Sequence, residues 1–194
     1  MSLSEHQQTI AFDPLRLGKR SLAVKAVFVL AGTLLLALAS QISVPMVPVP
    51  ITMQTFAVTM IGALYGWRLA GLTILAWLGQ AMLGFPILAN GSGGIAPFAG
   101  PTAGYLVSFP IIGALTGLLA ARGWTGDRII LSFAAHLTAN LLCLAMGGVW
   151  LAYLIGAEKA WLLGVAPFIL GAVLKSALAA AVLKGIRIYD GGAR

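Results

Sequence analysis

Residues 25–68 read KAVFVLAGTLLLALASQISVPMVPVPITMQTFAVTMIGALYGWR, and nothing between Lys25 and Arg68 carries a charge. Crossing the roughly 30 Å of bilayer hydrocarbon takes a helix of about 20 apolar residues. The interval is therefore long enough for two spans and a connection between them. That connection is Val44-Pro45-Met46-Val47-Pro48-Val49-Pro50, whose prolines restrict φ and lack amide donors, which excludes it from mid-helix. Arg68 to Arg122 is a second uncharged interval, broken by Gly84-Phe85-Pro86, Asn90-Gly91-Ser92-Gly93-Gly94 and Gly100-Pro101-Thr102, all turn formers. Spans are expected near 22–42, 53–66, 68–83, 103–121, 128–150 and 160–184. The second and third are short for a bilayer, which points to tilt or to ends that lie in protein rather than lipid.

Composition agrees with lipid as part of the solvent. Of 194 residues, 60% are hydrophobic and 9% charged, and mean hydropathy is +0.98, whereas soluble domains carry about 25% charged residues. Five acidic and twelve basic side chains cannot coat a water-facing particle of this size. A soluble enzyme, a secreted disulfide scaffold and a disordered regulator are excluded. The expected fold is an all-α integral membrane protein with six transmembrane helices. It divides into a cytoplasmic N-terminal segment 1–21, a transmembrane domain 22–184 and a cytoplasmic tail 185–194. Arg16, Lys19, Arg20, Lys25, Arg68, Arg122, Arg128, Lys184, Arg187 and Arg194 fall on one side of this arrangement; Lys159 falls on the other, and Lys175 within the last span. The positive-inside rule then places both termini in the cytoplasm. The net charge of +7 is accounted for by topology, with no case for nucleic-acid binding.

Several local patterns carry no chemistry. The basic start followed by an apolar run and Ala37-Leu38-Ala39-Ser40 imitates a secretory signal, but five further spans favour a retained first helix. Asn90-Gly91-Ser92 matches a glycosylation pattern that is frequent by chance. Cys143 is a single cysteine in an apolar helix and reads as an inert packing residue, with neither a disulfide nor a metal site indicated. Gly171-Ala172-Val173-Leu174-Lys175-Ser176 ends like a phosphate-binding loop but lacks the glycine before the lysine and sits inside a helix. His-Glu-x-x-His and Gly-x-Ser-x-Gly are absent, and the five acids all lie near a terminus or an interface. No catalytic residue is indicated, and energy for uphill transport would have to enter through another chain.

The sharpest candidate is Lys175. Nine residues, roughly 14 Å of helix, separate it from Lys184, near the limit of what a lysine can snorkel. Its ammonium is expected in the bundle interior or an outward cavity, with no acid in the membrane to pair with it, so an anionic ligand would supply the missing partner. The other reading is a structural lysine bonded to helix carbonyls. Residues 43–52 and 84–102 face outward yet contain no ionised group, so both are expected to fold over the outer mouth of the bundle. Thr52, Gln54, Asn90 and Ser92 would turn neutral donors and acceptors into a pocket walled by Phe85, Phe98 and Tyr105. His136 and Asn140, four apart, share a helix face and read as a helix-joining pair in preference to ligand contacts. Gly62-x-x-x-Gly66 and Gly113-x-x-x-Gly117 permit close helix approach, within the chain or to another subunit.

Three ordered blocks then carry a family likeness: Val49-Pro50-Ile51-Thr52-Met53-Gln54-Thr55, Gly84-Phe85-Pro86-Ile87-Leu88-Ala89-Asn90-Gly91-Ser92-Gly93-Gly94, and Gly100-Pro101-Thr102-Ala103-Gly104-Tyr105, with Pro167-Phe168 through Lys175 as a fourth. They resemble the signature blocks of the BioY family, the biotin-specific substrate-binding (S) components of energy-coupling-factor (ECF) transporters. The resemblance implies a six-helix ECF S-component-like bundle with pocket-capping outer loops, in a bacterial cytoplasmic (inner) membrane. It implies biotin as transported ligand with no cofactor. Membrane lipid, a transmembrane coupling protein and two ABC-type ATPases would be the partners, and a homo-oligomer stays open. Asn90 and Lys175 match polar positions expected to contact the vitamin, and Tyr105 matches the aromatic of the third block; Thr52, Gln54 and Gly93 complete the candidate site. One departure stands out. The family often has an acidic residue three before the lysine, and here that position is Ala172, so its polar contact is absent or replaced. An S component for another small anionic vitamin, a self-sufficient vitamin carrier and a purely structural membrane subunit are the alternatives.

Overall fold

The computed structural model describes residues 20–192 together with Leu15 and Leu17, with the backbone alone at 190–192. The expected segment 1–21 therefore lies almost wholly outside the described residues, as do Arg16, Lys19 and Arg194 of the topology argument. The chain forms α1 (Leu22–Gln41), a two-residue antiparallel pairing of β1 (Ser43–Val44) with β2 (Ile51–Thr52), and α2 (Gln54–Met82). A 3₁₀ turn at Ala89–Gly91 and the short α3 (Ala96–Ala99) lead into α4 (Ala103–Ala121) and α5 (Ile129–Ile155). A short α6 (Ala157–Ala160) and a π-helical turn (Trp161–Val165) then run into α7 (Ala166–Gly192).

Among the described residues five helical runs are long and apolar enough to cross a membrane, but α2 is two segments. Gly66 leaves the helical region with φ 74° and ψ 161°, a conformation glycine adopts without a Cβ clash. Val58 before the break and Ile74 after it both pack on Gly113 of α4, and Trp67 meets Gly117 one turn further along. Residues equidistant from Gly66 thus reach the same rung of α4, so the two halves form a helical hairpin with Arg68 beside its tip. Six membrane segments result, and the break falls between the expected second and third spans. One of the two expected causes of shortness, an end that lies in protein, is present. The first half begins at Gln54, which is buried and donates through Nε2 to Ser40 Oγ of α1 at 3.0 Å.

Two helix ends differ from expectation. Helix α5 continues to Ile155, past the expected 150, because nothing interrupts it before Gly156 at φ 89°. The last helical run starts at Ala157 and continues past Lys184 to Gly192. Charge marks the edge of the lipid but does not stop a helix, and 184–190 contains no proline to do so.

The bundle buries small polar residues within an apolar core and is apolar outside. Thr59, Thr73, Ser108, Thr116, Ser132, His136, Asn140 and Ser176 are buried, while Leu30, Leu34, Leu75, Val107, Leu170 and Leu174 are exposed. Such a surface suits hydrocarbon, where small and hydroxylated residues mediate helix contacts. Hydroxyls of Thr59, Thr73, Thr116 and Ser176 donate to carbonyls one turn back, so their burial leaves no orphan. The glycine spacings act within the chain. A Cβ on Gly62 would strike the Gly113 carbonyl, and one on Gly117 would strike the backbone of Trp67 and the Gly62 carbonyl. At the end carrying the expected cytoplasmic loops, Arg187 Nε pairs with Asp127 Oδ1 at 2.7 Å. That contact brings the α4–α5 connection against α7.

The α2–α4 crossing is therefore the contact least tolerant of added volume. Gly62→Ala is expected to destabilise the purified protein by about 1–3 kcal/mol through overpacking against backbone, lowering its melting temperature. Gly71→Ala, where an added Cβ meets nothing within 4 Å, is expected to leave the melting temperature unchanged or raise it. Equal effects of the two substitutions would show that this crossing is not close-packed.

Candidate ligand-binding site

Both neutral loops close over one end of the bundle and leave a cavity of about 330 Å³ beneath them. The first loop contributes Pro48, Val49, Pro50 and Thr52, with the Val47–Pro48 peptide bond cis. The second contributes Leu88, Ala89, Asn90, Ser92, Ala96, Pro97 and Gly100 through Thr102. Non-helical backbone at membrane depth must find its hydrogen bonds in protein, and the second loop does so at both ends. Gly94 N donates to Ala81 O (2.7 Å) and Leu88 N to Ser92 O (3.0 Å). Gln41 Nε2 donates to Leu88 O (3.1 Å), Trp77 Nε1 to Ile87 O (3.3 Å) and Trp150 Nε1 to Gly100 O (2.9 Å). The loop is clamped to α1, α2 and α5.

The walls come from helices. Tyr105, Leu106 and Phe109 of α4, Asn140, Cys143 and Leu144 of α5, and Phe168, Ala172 and Lys175 of α7 face the space, each set at helical spacing on one face. Tyr105 stacks on Phe168 with ring centroids 6.4 Å apart, and its hydroxyl donates to Gly164 O at 2.7 Å. The acceptor lies in the π-helical turn, the kind of irregularity that recurs at functional sites. Phe109 is held from behind by Trp77, stacked at 6.0 Å.

Lys175, half-buried, is the cavity's cation. Its Nζ donates to Thr52 O at 3.0 Å and to Thr55 Oγ1 at 2.9 Å. This corrects the expectation that it lacks a protein partner, since neutral oxygens from β2 and the first turn of α2 hold it. No carboxylate pairs with it among the described residues, so its charge is solvated but not neutralised. Thr52 Oγ1 donates to Gln54 Oε1 at 3.0 Å and accepts from Gln54 N at 3.3 Å. Gln54 is thereby fixed between Thr52 and Ser40, and Thr52 and Gln54 brace the start of α2 as well as border the cavity.

Of the six candidate site residues, Thr52, Gln54, Asn90, Tyr105 and Lys175 line the cavity and Gly93 does not. Gly93 packs on the Phe85 carbonyl so closely that a side chain there would collide with it, so it shapes the loop. Phe85 and Phe98 are not walls either: Phe85 is exposed beyond the turn at Gly84 (φ 99°), and Phe98 packs against the core. Asn90 sits in the left-handed region (φ 57°), which asparagine tolerates, and its Oδ1 accepts from Ser43 Oγ at 3.1 Å, joining the two loops. Cys143, read from sequence as inert packing, is a free buried thiol on the cavity wall, hydrogen-bonded to Ser108 Oγ at 3.1 Å. Asn140 was not among the candidate site residues. It does join helices, donating from Nδ2 to Ser176 Oγ of α7 at 3.2 Å, and it also borders the cavity. His136 does not share that role, for both its ring nitrogens are buried without a partner.

A 330 Å³ space with aromatic and aliphatic walls, a few fixed polar groups and one cation suits a small, largely apolar organic anion. Comparison with known proteins identifies the family. The chain is 37% identical over 148 residues to the probable biotin transporter BioY of Pyrococcus horikoshii, covering 76% of this chain and 86% of that one. It is 35% identical over 177 residues to the biotin transporter BioY of Rhizobium etli, covering 87% and 94%. Its fold matches the S-component for biotin from an ECF-type ABC transporter with a TM-score of 0.68 over 85% of this chain and 91% of that one, at 23% identity. The model of the BioY family matches residues 10–190. The chain belongs to the BioY family.

Proposed function

We infer that this chain binds biotin in the capped cavity and carries it across the cytoplasmic membrane as the substrate-specific subunit of an ATP-driven ECF transporter. The observation that carries the reading is Lys175: a cation in a mostly apolar cavity beneath the two loops, held by two neutral oxygens and left without a countercharge among the described residues. Biotin combines an apolar sulfur ring, a neutral ureido group and a carboxylate. Phe109, Leu144, Phe168 and Tyr105 suit the ring, and Lys175 suits either the carboxylate or the ureido oxygen. Asn90, with Oδ1 engaged by Ser43, has amide hydrogens to offer from the loop above. The partners proposed are a transmembrane coupling protein and two ABC-type ATPases, meeting the basic cytoplasmic side that also carries both termini.

Mass spectrometry of ligand released from the purified chain is expected to find biotin; a different small anion would redirect the reading to another vitamin. Lys175→Ala is expected to weaken biotin binding roughly ten- to a hundredfold, the range for losing a charged hydrogen bond, and unchanged affinity in calorimetry would remove Lys175 from the site. Vesicles holding this chain alone should not accumulate biotin against a gradient, whereas vesicles that also hold the coupling protein, both ATPases and ATP should. Accumulation by the chain alone would establish a self-sufficient carrier instead.

A further inference from the structure

Asn140 is 3% exposed, and what little it exposes borders the cavity. Its amide orientation is dictated by its neighbours. Nδ2 lies 2.9 Å from the His136 carbonyl and 3.2 Å from Ser176 Oγ. A carbonyl can only accept. The Ser176 hydroxyl is already donating to Ala172 O at 2.7 Å, so it too can only accept from Asn140. Turning the amide over would set oxygen against oxygen at both contacts. Both Nδ2 hydrogens are therefore spent inside the protein, and the polar atom left for the cavity is Oδ1, which accepts and cannot donate. The same bond chain, Asn140 to Ser176 to Ala172, ties this acceptor to the α7 wall that carries Lys175.

Among cavity-lining side chains the polar inventory is otherwise rich in donors or already paired: Lys175 donates, Asn90 retains its amide hydrogens, and the Gln54 carbonyl oxygen is taken by Thr52. Resting on the biotin reading above, we propose that Asn140 is a specificity-determining residue whose Oδ1 accepts a hydrogen bond from a ureido N–H of biotin. At neutral pH the carboxylate is ionised, and the two ureido N–H groups are the ligand's strong donors. A carboxylate facing Oδ1 would set acceptor against acceptor, so the ureido ring faces Asn140 on α5 and the carboxylate lies away from it. Such a contact rejects ligands that have the right shape but lack the donor, because a buried acceptor would then be left unpaired. It also supplies a polar group on the wall where position 172 is alanine.

The test measures affinities of the full chain in lipid nanodiscs for biotin and for its two mono-N-methyl ureido derivatives. Wild type is expected to prefer biotin over at least one derivative by tenfold or more. Asn140→Ala removes the acceptor without stranding a buried donor and leaves room for the methyl group. It is expected to weaken biotin about ten- to a hundredfold while changing that derivative little, so the preference collapses. Asn140→Ser, whose hydroxyl can bond back to the carbonyl one turn earlier, gives the same readout if the alanine variant does not fold. A preference that survives in a folded variant, with both ligands weakened alike, overturns the proposal and leaves Asn140 a packing residue. Failure of wild type to bind biotin at all overturns the functional reading, and this inference with it.

Discussion

One ammonium group organises the ligand end of this protein. Lys175 lies on α7, and the oxygens that hold it belong to Thr52 and Thr55, more than a hundred residues earlier. A charge inside a bilayer is tolerated only where it finds polar partners or a polar cavity, so the start of α2 and the last helix must come together. That requirement places the short β1–β2 pairing, and the proline segment it closes, over the bundle. The bond from Gln54 to Ser40 carries the tie on to α1. Lys175 thus closes a circuit through α1, the first loop, α2 and α7, with the cavity inside it.

The rest of the scaffold supplies rigidity by close approach. Glycines 62, 113 and 117 bring both halves of the α2 hairpin against α4, and an apolar solvent offers no hydrophobic drive to do so; contact area and packing must serve instead. On that base α4 presents Tyr105, Leu106 and Phe109 at a fixed height. The π-helical turn before α7 gives the Tyr105 hydroxyl its carbonyl partner, which would otherwise be a buried donor without one. The ligand walls therefore rest on helices braced by backbone contacts, while the loops above are held by tryptophan and glutamine side chains at their carbonyls.

The spans were legible because charges are rare enough here for nearly all of them to fall between helices; Arg68 alone separates the second span from the third, and Gly66 breaks the helix two residues earlier. The capping role of the loops was legible because water-facing loops without charge are unusual. The inner face of each helix was not. In a bilayer the outward face and the core are both apolar, so the contrast that orients a soluble helix is missing. Phe85 and Phe98 were read as walls by residue type and lie elsewhere, while Phe109 and Phe168 carried no local sign of facing the cavity. For Lys175 the sequence offered either a missing anion or helix carbonyls as partners; the carbonyl of Thr52 and the hydroxyl of Thr55 that hold it have no signature at that sequence distance. Asn140 did read correctly as a helix-joining residue; its second role follows from α5 passing beside Ala172, which no local pattern encodes.

The choice of neutral oxygens around Lys175 has a consequence for function. A carboxylate partner would satisfy the lysine but would also cancel the charge and repel an anion arriving in the cavity. A carbonyl and a hydroxyl stabilise the ammonium without neutralising it, so its field remains directed into the cavity. The same logic extends to the loops, where any acidic residue would repel an anionic ligand and any basic one would compete with Lys175 for it. On the proposed reading, scarcity of charge, which begins as a requirement of the bilayer, becomes a condition for recognition: the single cation in the cavity acts unopposed, and neutral groups such as the Asn140 amide are left to read the ligand's hydrogen-bonding groups.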